Sequence, residues 1–370
     1  MPMQCKAAVL HAAQTPMTIE TVTSASLKPT DVLVRIRAAG LCHTDLEVIE
    51  GSLRYPLPIV LGHEAAGVVE QVGPAARGVA VGDHVVLSWN PHCGHCFYCD
   101  RDTPILCEQY LGEGPKALPF DGESRTRLAD GRPLQQLMFL GSFGEYCIVA
   151  DQQAIAVPKQ IPFDRACLIG CGVMTGVGAA LNLGAIAHGD TVMVVGCGAV
   201  GLAAVQGARL AGAGAIIAVE LDPAKLVLAA RMGATHGVNA SMEDAVAAGK
   251  RETGGRGVDV VIEAAGSASA FRVTTEAVRP GGQVIWLGKI DVARDVAFRW
   301  GSLMQEKRIR RVSYGNTRPR RDFPLLARAY LDGSLMLDEL ITRRITLDEI
   351  NDGFGALKRG EAIRSVIVFE

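Results

Sequence analysis

The chain has 370 residues and a formal net charge of −2, from 37 Lys+Arg against 39 Asp+Glu. Its length predicts about two domains, and its 49% apolar content supplies material for real cores. The near-neutral balance excludes the basic excess of a nucleic-acid or membrane-surface binder. Ten cysteines could pair as five disulfides in a secreted protein, yet four of them fall between Cys93 and Cys107. Disulfide frameworks belong mainly to small domains that lack a core, and this chain is not small.

In chain order, Met1-Pro-Met-Gln-Cys-Lys lacks the basic start and apolar stretch of a leader. The first 150 residues read as short strands: Val32–Ile36, Ala65–Val72, Asp83–Leu87 and Tyr146–Val149 are β-rich. Lys28-Pro-Thr-Asp31 and Gly73-Pro74 divide them as turns. Arg101 to Arg132 is polar and irregular, and is expected as a long surface loop. The rhythm changes near residue 170. Thr191–Val195, Ala215–Val219, Val258–Ile262 and Gln283–Leu287 are apolar strands alternating with helices at Ala199–Leu210, Pro223–Met232 and Ala268–Val278. Strands apolar on both faces that alternate with helices signal a covered parallel sheet. No run of about 18 apolar residues is expected to span a bilayer, since Gly196, Gly198 and Gly201 break the richest stretch, Thr191–Val205. Residues 289–321 carry ten Lys/Arg against three Asp/Glu. They read as a solvated face first, and as a positive rim near an anionic cofactor second. Thr346-Leu-Asp-Glu349 forms a capping box for a helix to Lys358, and Ser365–Phe369 closes as a strand.

Gly196-Cys-Gly198-Ala-Val-Gly201 follows a buried strand and opens a helix, the setting of a dinucleotide loop. Gly196 permits the turn, Gly198 lets the backbone approach a pyrophosphate, and Gly201 allows close helix–strand packing. Glu220 ends the next strand, where a carboxylate accepts from adenosine ribose hydroxyls and repels a 2′-phosphate. NAD is therefore expected over NADP, with Lys225 as a further ribose donor. The cluster Cys93-x2-Cys96-x2-Cys99-x7-Cys107 has the density of a closed, all-thiolate zinc site. An iron–sulfur cluster is the rival, but its runs end in a shorter gap followed by proline, and here Glu108 follows Cys107. Cys42, His63 and Cys171 are further ligand types, which spacing alone does not assemble. Cys5, Cys147, Cys167 and Cys197 read as small buried hydrophobes.

Gly40-Leu-Cys-His-Thr-Asp45, Gly62-His-Glu-Ala-Ala-Gly67, the cysteine cluster, Gly170-Cys-Gly-Val-Met-Thr-Gly176, the dinucleotide loop and Ile363-Arg-Ser-Val-Ile stand in a telling order. Through them the whole chain resembles the zinc-dependent medium-chain alcohol dehydrogenase family, in its long-chain branch of class I and class III enzymes. The resemblance implies an α/β protein. A GroES-like β-rich catalytic domain (1–171 and 315–370) would hold two zincs, interrupted by a Rossmann domain with a doubly wound parallel sheet (172–314). Cys42, His63 and Cys171 would bind a catalytic zinc, with Asp45 fixing the His63 tautomer and Glu64 behind the metal. Thr44 would accept the alcohol hydrogen bond. Val200 and Thr175 would pack on the nicotinamide, and His43 and Arg364 would face the pyrophosphate. Glu47 stands where many relatives end the proton relay with histidine, so Glu47, His43 or water takes that step. Leu53, Trp89, Phe139 and Leu140 would line an apolar slot for primary alcohols, aliphatic, allylic or aryl.

Two other functions compete with that reading. One is a glutathione- or mycothiol-dependent formaldehyde dehydrogenase, although Leu111 lies near the position where that class carries an arginine. The other is a non-catalytic nucleotide-binding protein on the same fold. The expectation is completed by a cytoplasmic location, a homodimer or tetramer, and a small alcohol or aldehyde as partner, with neither nucleic acid nor membrane.

Overall fold

The structure is a computed structural model that describes residues 3–370. The chain forms two compact units, one built from the segment through Cys171 together with Arg318–Glu370, the other from Gly172–Thr317.

In the first unit, Gln4–Leu10, Thr18–Ser24, Thr126–Arg127, Pro133–Gln136 and Ile59–Val60 close a barrel. A second sheet centres on Asp31–Gly40, a strand buried along almost its whole length because it is paired on both edges. Ala65–Val72 runs antiparallel along one edge. Tyr146–Ala150 and Ser365–Val368 share the other. This pairing brings distant residues together. Gly40 N–H donates to Glu64 O at 2.8 Å, so the residues just after one strand meet those just before its neighbour. Cys42 and His63 occupy those two positions.

The polar stretch expected as a surface loop is partly an anchored segment. It holds the helix Glu108–Glu113 and the buried Ala117, Arg125 and Leu128. Arg125 Nε donates to Asp31 Oδ2 at 2.6 Å and its Nη2 to Asp31 Oδ1 at 3.2 Å, both side chains buried. Its polarity misled in part because one of its charges, Arg125, is paired inside. The sequence also gave no signal for the strands Gln4–Leu10 and Thr18–Ser24 or for the helix Pro319–Leu331.

A helical run from Phe163 to Leu183 corrects the expectation about apolar stretches. It is 21 residues long and apolar enough to cross a membrane by length and composition, but 78% of its most apolar window is buried inside the protein. Gly170, Gly172, Gly176 and Gly178, each unfavourable to a helix by itself, lie inside it. Gly176 is needed for close packing: a Cβ there would lie 2.2 Å from Val200 O. Ile169–Val173 is a π turn within this run, a local widening that recurs at functional sites.

The second unit is a six-stranded parallel sheet. Counted along the chain its strands lie in the order 3-2-1-4-5-6, the doubly wound dinucleotide-binding order. The four expected strands are joined by two short edge strands, His236–Asn239 and Arg308–Arg311. Helices Ala199–Leu210, Pro223–Arg231, Ala245–Arg251 and Ala268–Ala277 connect them, three capped by the side chains of Asp222, Asp244 and Ser267.

The Asp31–Arg125 pair generates a test. Arg125→Met leaves a buried carboxylate with too few donors, and should cost about 3–5 kcal/mol in urea unfolding. The exposed neighbour change Arg127→Ala should stay within about 0.5 kcal/mol. Equal effects of the two would mean the pair does not anchor the segment.

Candidate active site and cofactor loop

Cys42, His63 and Cys171 converge although they lie on a strand end, a turn and a π turn. Their ligand atoms all lie within 4.8 Å of one another. Cys42 caps the helix His43–Glu50, and Asp45 Oδ2 accepts its backbone N–H at 3.2 Å. Asp45 Oδ1 accepts Gly62 N–H at 2.9 Å and lies 3.2 Å from His63 Nδ1. With Nδ1 engaged, Nε2 is the nitrogen left for a metal. Two sulfurs and one imidazole form a donor set suited to zinc with a fourth position open.

The electrostatics agree with a metal site. The Cys42 thiol is held well below its usual range by its hydrogen bond with Cys171, against burial and with help from His63 and Arg364. Cys171 is pushed well up by the same bond and by burial. Burial opposes a charge on His63, but Asp45 and Cys42 overcome it and hold its pKa well up. Glu64 is wholly buried, and its Oε2 lies 3.4 Å from Arg364 Nη2. Gly40 is what admits it, since a Cβ there would lie 2.2 Å from Glu64 Oε1.

Arg364 packs against the ligand cluster. Its side chain is buried, and Nη1 donates to Leu41 O at 3.0 Å. Its charge faces Glu64, Cys42 and Cys171.

Cys93, Cys96, Cys99 and Cys107 form the second group, their sulfurs also within 4.8 Å of one another. Cys93 Sγ and Cys99 Sγ are 4.0 Å apart. A tetrahedral ion about 2.3 Å from each sulfur requires about 3.8 Å. Backbone N–H groups of Cys93 and Glu108 point at the sulfurs of Cys107 and Cys96, at 3.2 and 3.5 Å. The Glu108 amide, with others nearby, lowers Cys96 to about 6, while burial lifts Cys99 to about 12.

Around the first group, His43 is exposed on the helix surface, while Thr44 and Glu47 are half-buried. Thr44 and Glu47 are one turn apart and so share a face. Phe139 and Leu140 are buried, and Leu53 and Trp89 are half-buried against the same core. Sequence reasoning missed Tyr110, whose ring lies 6.1 Å from Trp89 and 5.6 Å from Phe139. Phe120 meets Phe139 edge-on at 5.3 Å. Met138 and Phe139 both adopt left-handed backbone, φ 51° and 63°, strain that holds the Phe139 ring in this file. Burial keeps the Tyr110 phenol protonated, and Tyr55 and Cys171 lie within its electrostatic reach. Tyr110 follows Cys107 by three residues, and only that proximity could have pointed to it.

In the parallel-sheet unit, Gly196 has φ +92°, and a Cβ there would meet Ala265 N at 2.7 Å. A Cβ on Gly201 would sit 1.8 Å from Gly196 O. A Cβ on Gly198 would meet nothing within 4 Å, which is the open cradle a pyrophosphate needs. Gly198 caps Ala199–Leu210, so that helix directs its N-terminal N–H groups at the same place. Glu220 accepts N–H groups from Cys197 at 2.7 Å, Leu221 at 2.7 Å and Asp222 at 3.3 Å, which fixes its carboxylate beside the loop. Lys225 lies in electrostatic reach of Cys197 in that loop. Val200 and Thr175 are half-buried in this unit. The residues present fit a dinucleotide.

Known proteins share these features. The Alcohol dehydrogenase GroES-like domain family matches residues 28–159, and the Zinc-binding dehydrogenase family matches residues 199–331. The S-(hydroxymethyl)glutathione dehydrogenase of Aspergillus oryzae is 36% identical over 365 residues, 98% of this chain and 95% of that protein. Among solved structures, an alcohol dehydrogenase zinc-binding domain protein from Burkholderia ambifaria has a TM-score of 0.96 at 36% identity, covering 100% of both chains. Benzyl alcohol dehydrogenase from Acinetobacter calcoaceticus has a TM-score of 0.94 at 30% identity, again over 100% of both.

The thiol environments yield a test. In protein stripped of metal, iodoacetamide at pH 7 should label Cys96 first, because a thiol near 6 is mostly thiolate there. Cys99, near 12, should lag until the pH is raised. Peptide mass spectrometry reads the order, and equal labelling of the two at pH 7 would contradict the assigned environments.

Proposed function

We propose, from the premise that this chain belongs to the zinc-dependent medium-chain alcohol dehydrogenase family and is an NAD-dependent alcohol oxidoreductase, that it oxidises primary alcohols with apolar or aryl tails reversibly to aldehydes. The observation that carries the substrate class is the aromatic file of Trp89, Tyr110, Phe139 and Phe120, with Tyr110 in electrostatic reach of Cys171. Such a file takes a flat or slender apolar tail and leaves the hydroxyl to the polar end. A solved relative at 30% identity is a benzyl alcohol dehydrogenase.

When bound, zinc and NAD supply Lewis acidity and a hydride acceptor. The chain's own residues do the rest. Cys42, His63 and Cys171 hold the catalytic zinc, and Asp45 keeps His63 in the ligating tautomer. Cys93, Cys96, Cys99 and Cys107 hold the structural one. Thr44 Oγ1 accepts the hydrogen bond from the substrate hydroxyl, and the Glu47 carboxylate, one helical turn on, receives the proton for solvent. Gly196, Gly198 and Gly201 seat the pyrophosphate and Glu220 the adenosine ribose, with Lys225 beside it. Val200 and Thr175 contact the nicotinamide. The reading also places the enzyme in the cytoplasm as a homodimer. A thiolate-rich chain with two metal clusters and its four other cysteines buried is suited to a reducing compartment.

A second reading, thiol-adduct formaldehyde dehydrogenase, is favoured by the name of the Aspergillus oryzae relative. Against it, the exposed Leu111 offers no charge for an adduct carboxylate. A non-catalytic role is disfavoured by the complete donor set with Thr44 beside it.

Steady-state rates with NAD separate these readings. The kcat/KM for benzyl alcohol should exceed that for S-hydroxymethylglutathione by about tenfold or more. The reverse order would establish the adduct enzyme, and no NAD reduction with any alcohol would establish the binder. Thr44→Val should lower kcat by about 10² or more. Glu47→Gln should move the pH profile of kcat, and an unmoved profile would remove Glu47 from the relay.

A further inference from the structure

The basic segment near residue 300 is not absorbed by the cofactor site. Arg299 and Lys307 come from it, and together with Lys250 and Arg256 they line a cavity of about 320 Å³ that holds one carboxylate, Glu276. The cavity lies at the N-terminal ends of Val258–Glu263, Val278–Trp286 and Arg308–Arg311. The dinucleotide loop follows the C-terminal end of Thr191–Val195, at the opposite edge of the same parallel sheet. A chain whose net charge is −2 thus gathers four cations around one anion, far from its cofactor loop.

The cations are held in place rather than neutralised. Lys307 is half-buried, and its ammonium donates to Thr275 O at 2.8 Å and Ser302 O at 3.2 Å. An ammonium has three N–H donors, so one remains for a guest. Burial, with Lys250 and Arg299 nearby, depresses its pKa, so these charges repel one another across the space. Among the described residues, only Arg299 pairs with Glu276, at 3.3 Å. Among the described residues, neither Lys250 nor Arg256 lies within ion-pair distance of a carboxylate. The turn before Lys307 is strained, with Gln305 and Glu306 at φ 71° and 58°, and Gln305 O accepts Gly281 N–H at 2.8 Å.

We propose that this cavity is a second anion site, which binds a phosphate-bearing small molecule through Lys250, Arg256, Arg299 and Lys307. Guanidinium and ammonium donors converging from separate turns suit the tetrahedral oxygens of phosphate. The proposal is independent of the alcohol the enzyme uses.

Calorimetric titration of the zinc-loaded protein tests it. NAD is saturating, so that the Gly196–Gly201 loop is filled, and KCl fixes the ionic strength. Inorganic phosphate and pyrophosphate are the probes, and one site per chain is expected. Tighter pyrophosphate binding marks a diphosphate ligand, and tighter phosphate binding a monophosphate. Lys250→Gln/Arg256→Gln, two exposed changes, should weaken binding by about tenfold or more. Lys250→Arg/Arg256→Lys should retain it, and NAD affinity should be unchanged in both. No binding to the wild type, or equal binding by the glutamine variant, would overturn the proposal.

Discussion

Asp45 is the constraint on which the active site rests. Its carboxylate is wholly buried, a position a charge can hold only when donors surround it. The donors are Cys42 N–H, Gly62 N–H and His63 Nδ1, which ties the Cys42 segment to the Gly62–His63 turn. One side chain therefore starts the helix His43–Glu50, pins the Gly62–His63 turn and selects the histidine nitrogen that can ligate. Gly62 belongs to the same constraint: its φ of +92° turns the chain, and a Cβ there would strike Phe143 Cδ1 at 2.6 Å. Thr44 and Glu47 are placed by the helix that Asp45 initiates, so these two side chains and the thiol–imidazole cluster share one anchor.

Behind that anchor the site is an alternation of buried charges. Asp45 and Glu64 bring buried carboxyl groups, and Cys42 becomes anionic readily. Arg364 and His63 oppose them. No member is stable alone at this depth, and each removes the desolvation cost of another. The buried guanidinium of Arg364 faces Glu64, Cys42 and Cys171, and this charge helps one thiolate and a carboxylate to share so small a volume. The absent side chain of Gly40 is as necessary as the charges, because Glu64 occupies its place. Through Arg364 the tail motif Ile363-Arg-Ser thus packs beside the thiol–imidazole cluster, more than 300 residues along the chain from Cys42.

The sequence was most legible where a local pattern causes a local structure. The Gly196–Gly201 loop, the four inner parallel strands and the Thr346–Glu349 capping box each contain their own physics, and the structure has them where the pattern put them. Legibility failed where the cause is distant. The strands Gln4–Leu10 and Thr18–Ser24 are defined by their barrel partners. The Phe163–Leu183 helix is stabilised by burial against its glycines, which taken locally argue against a helix. Arg125 was read as polar surface because its partner, Asp31, is 94 residues away. Tyr110 was invisible because only the fold stacks it between Trp89 and Phe139.

The cysteines show how one residue type acquires opposite roles. Cys5 is lifted to about 11 and Cys197 to about 12, chiefly by burial, and Cys147 and Cys167 are pushed up in the same way. These are protonated, inert fillers of apolar space. Cys96 and Cys42 move the other way because donors face their sulfurs, a backbone amide in one case and a thiol, an imidazole and a guanidinium in the other. A soft cation needs a thiolate, and only groups with such donors offer one near neutral pH. Within each cluster a partner sulfur is held protonated, Cys99 chiefly by burial and Cys171 by its hydrogen bond with Cys42 and by burial. Metal entry must therefore displace protons from these sulfurs, and from Cys107 and His63, whose pKa values are also raised, with Cys96 and Cys42 already prepared as the first ligands.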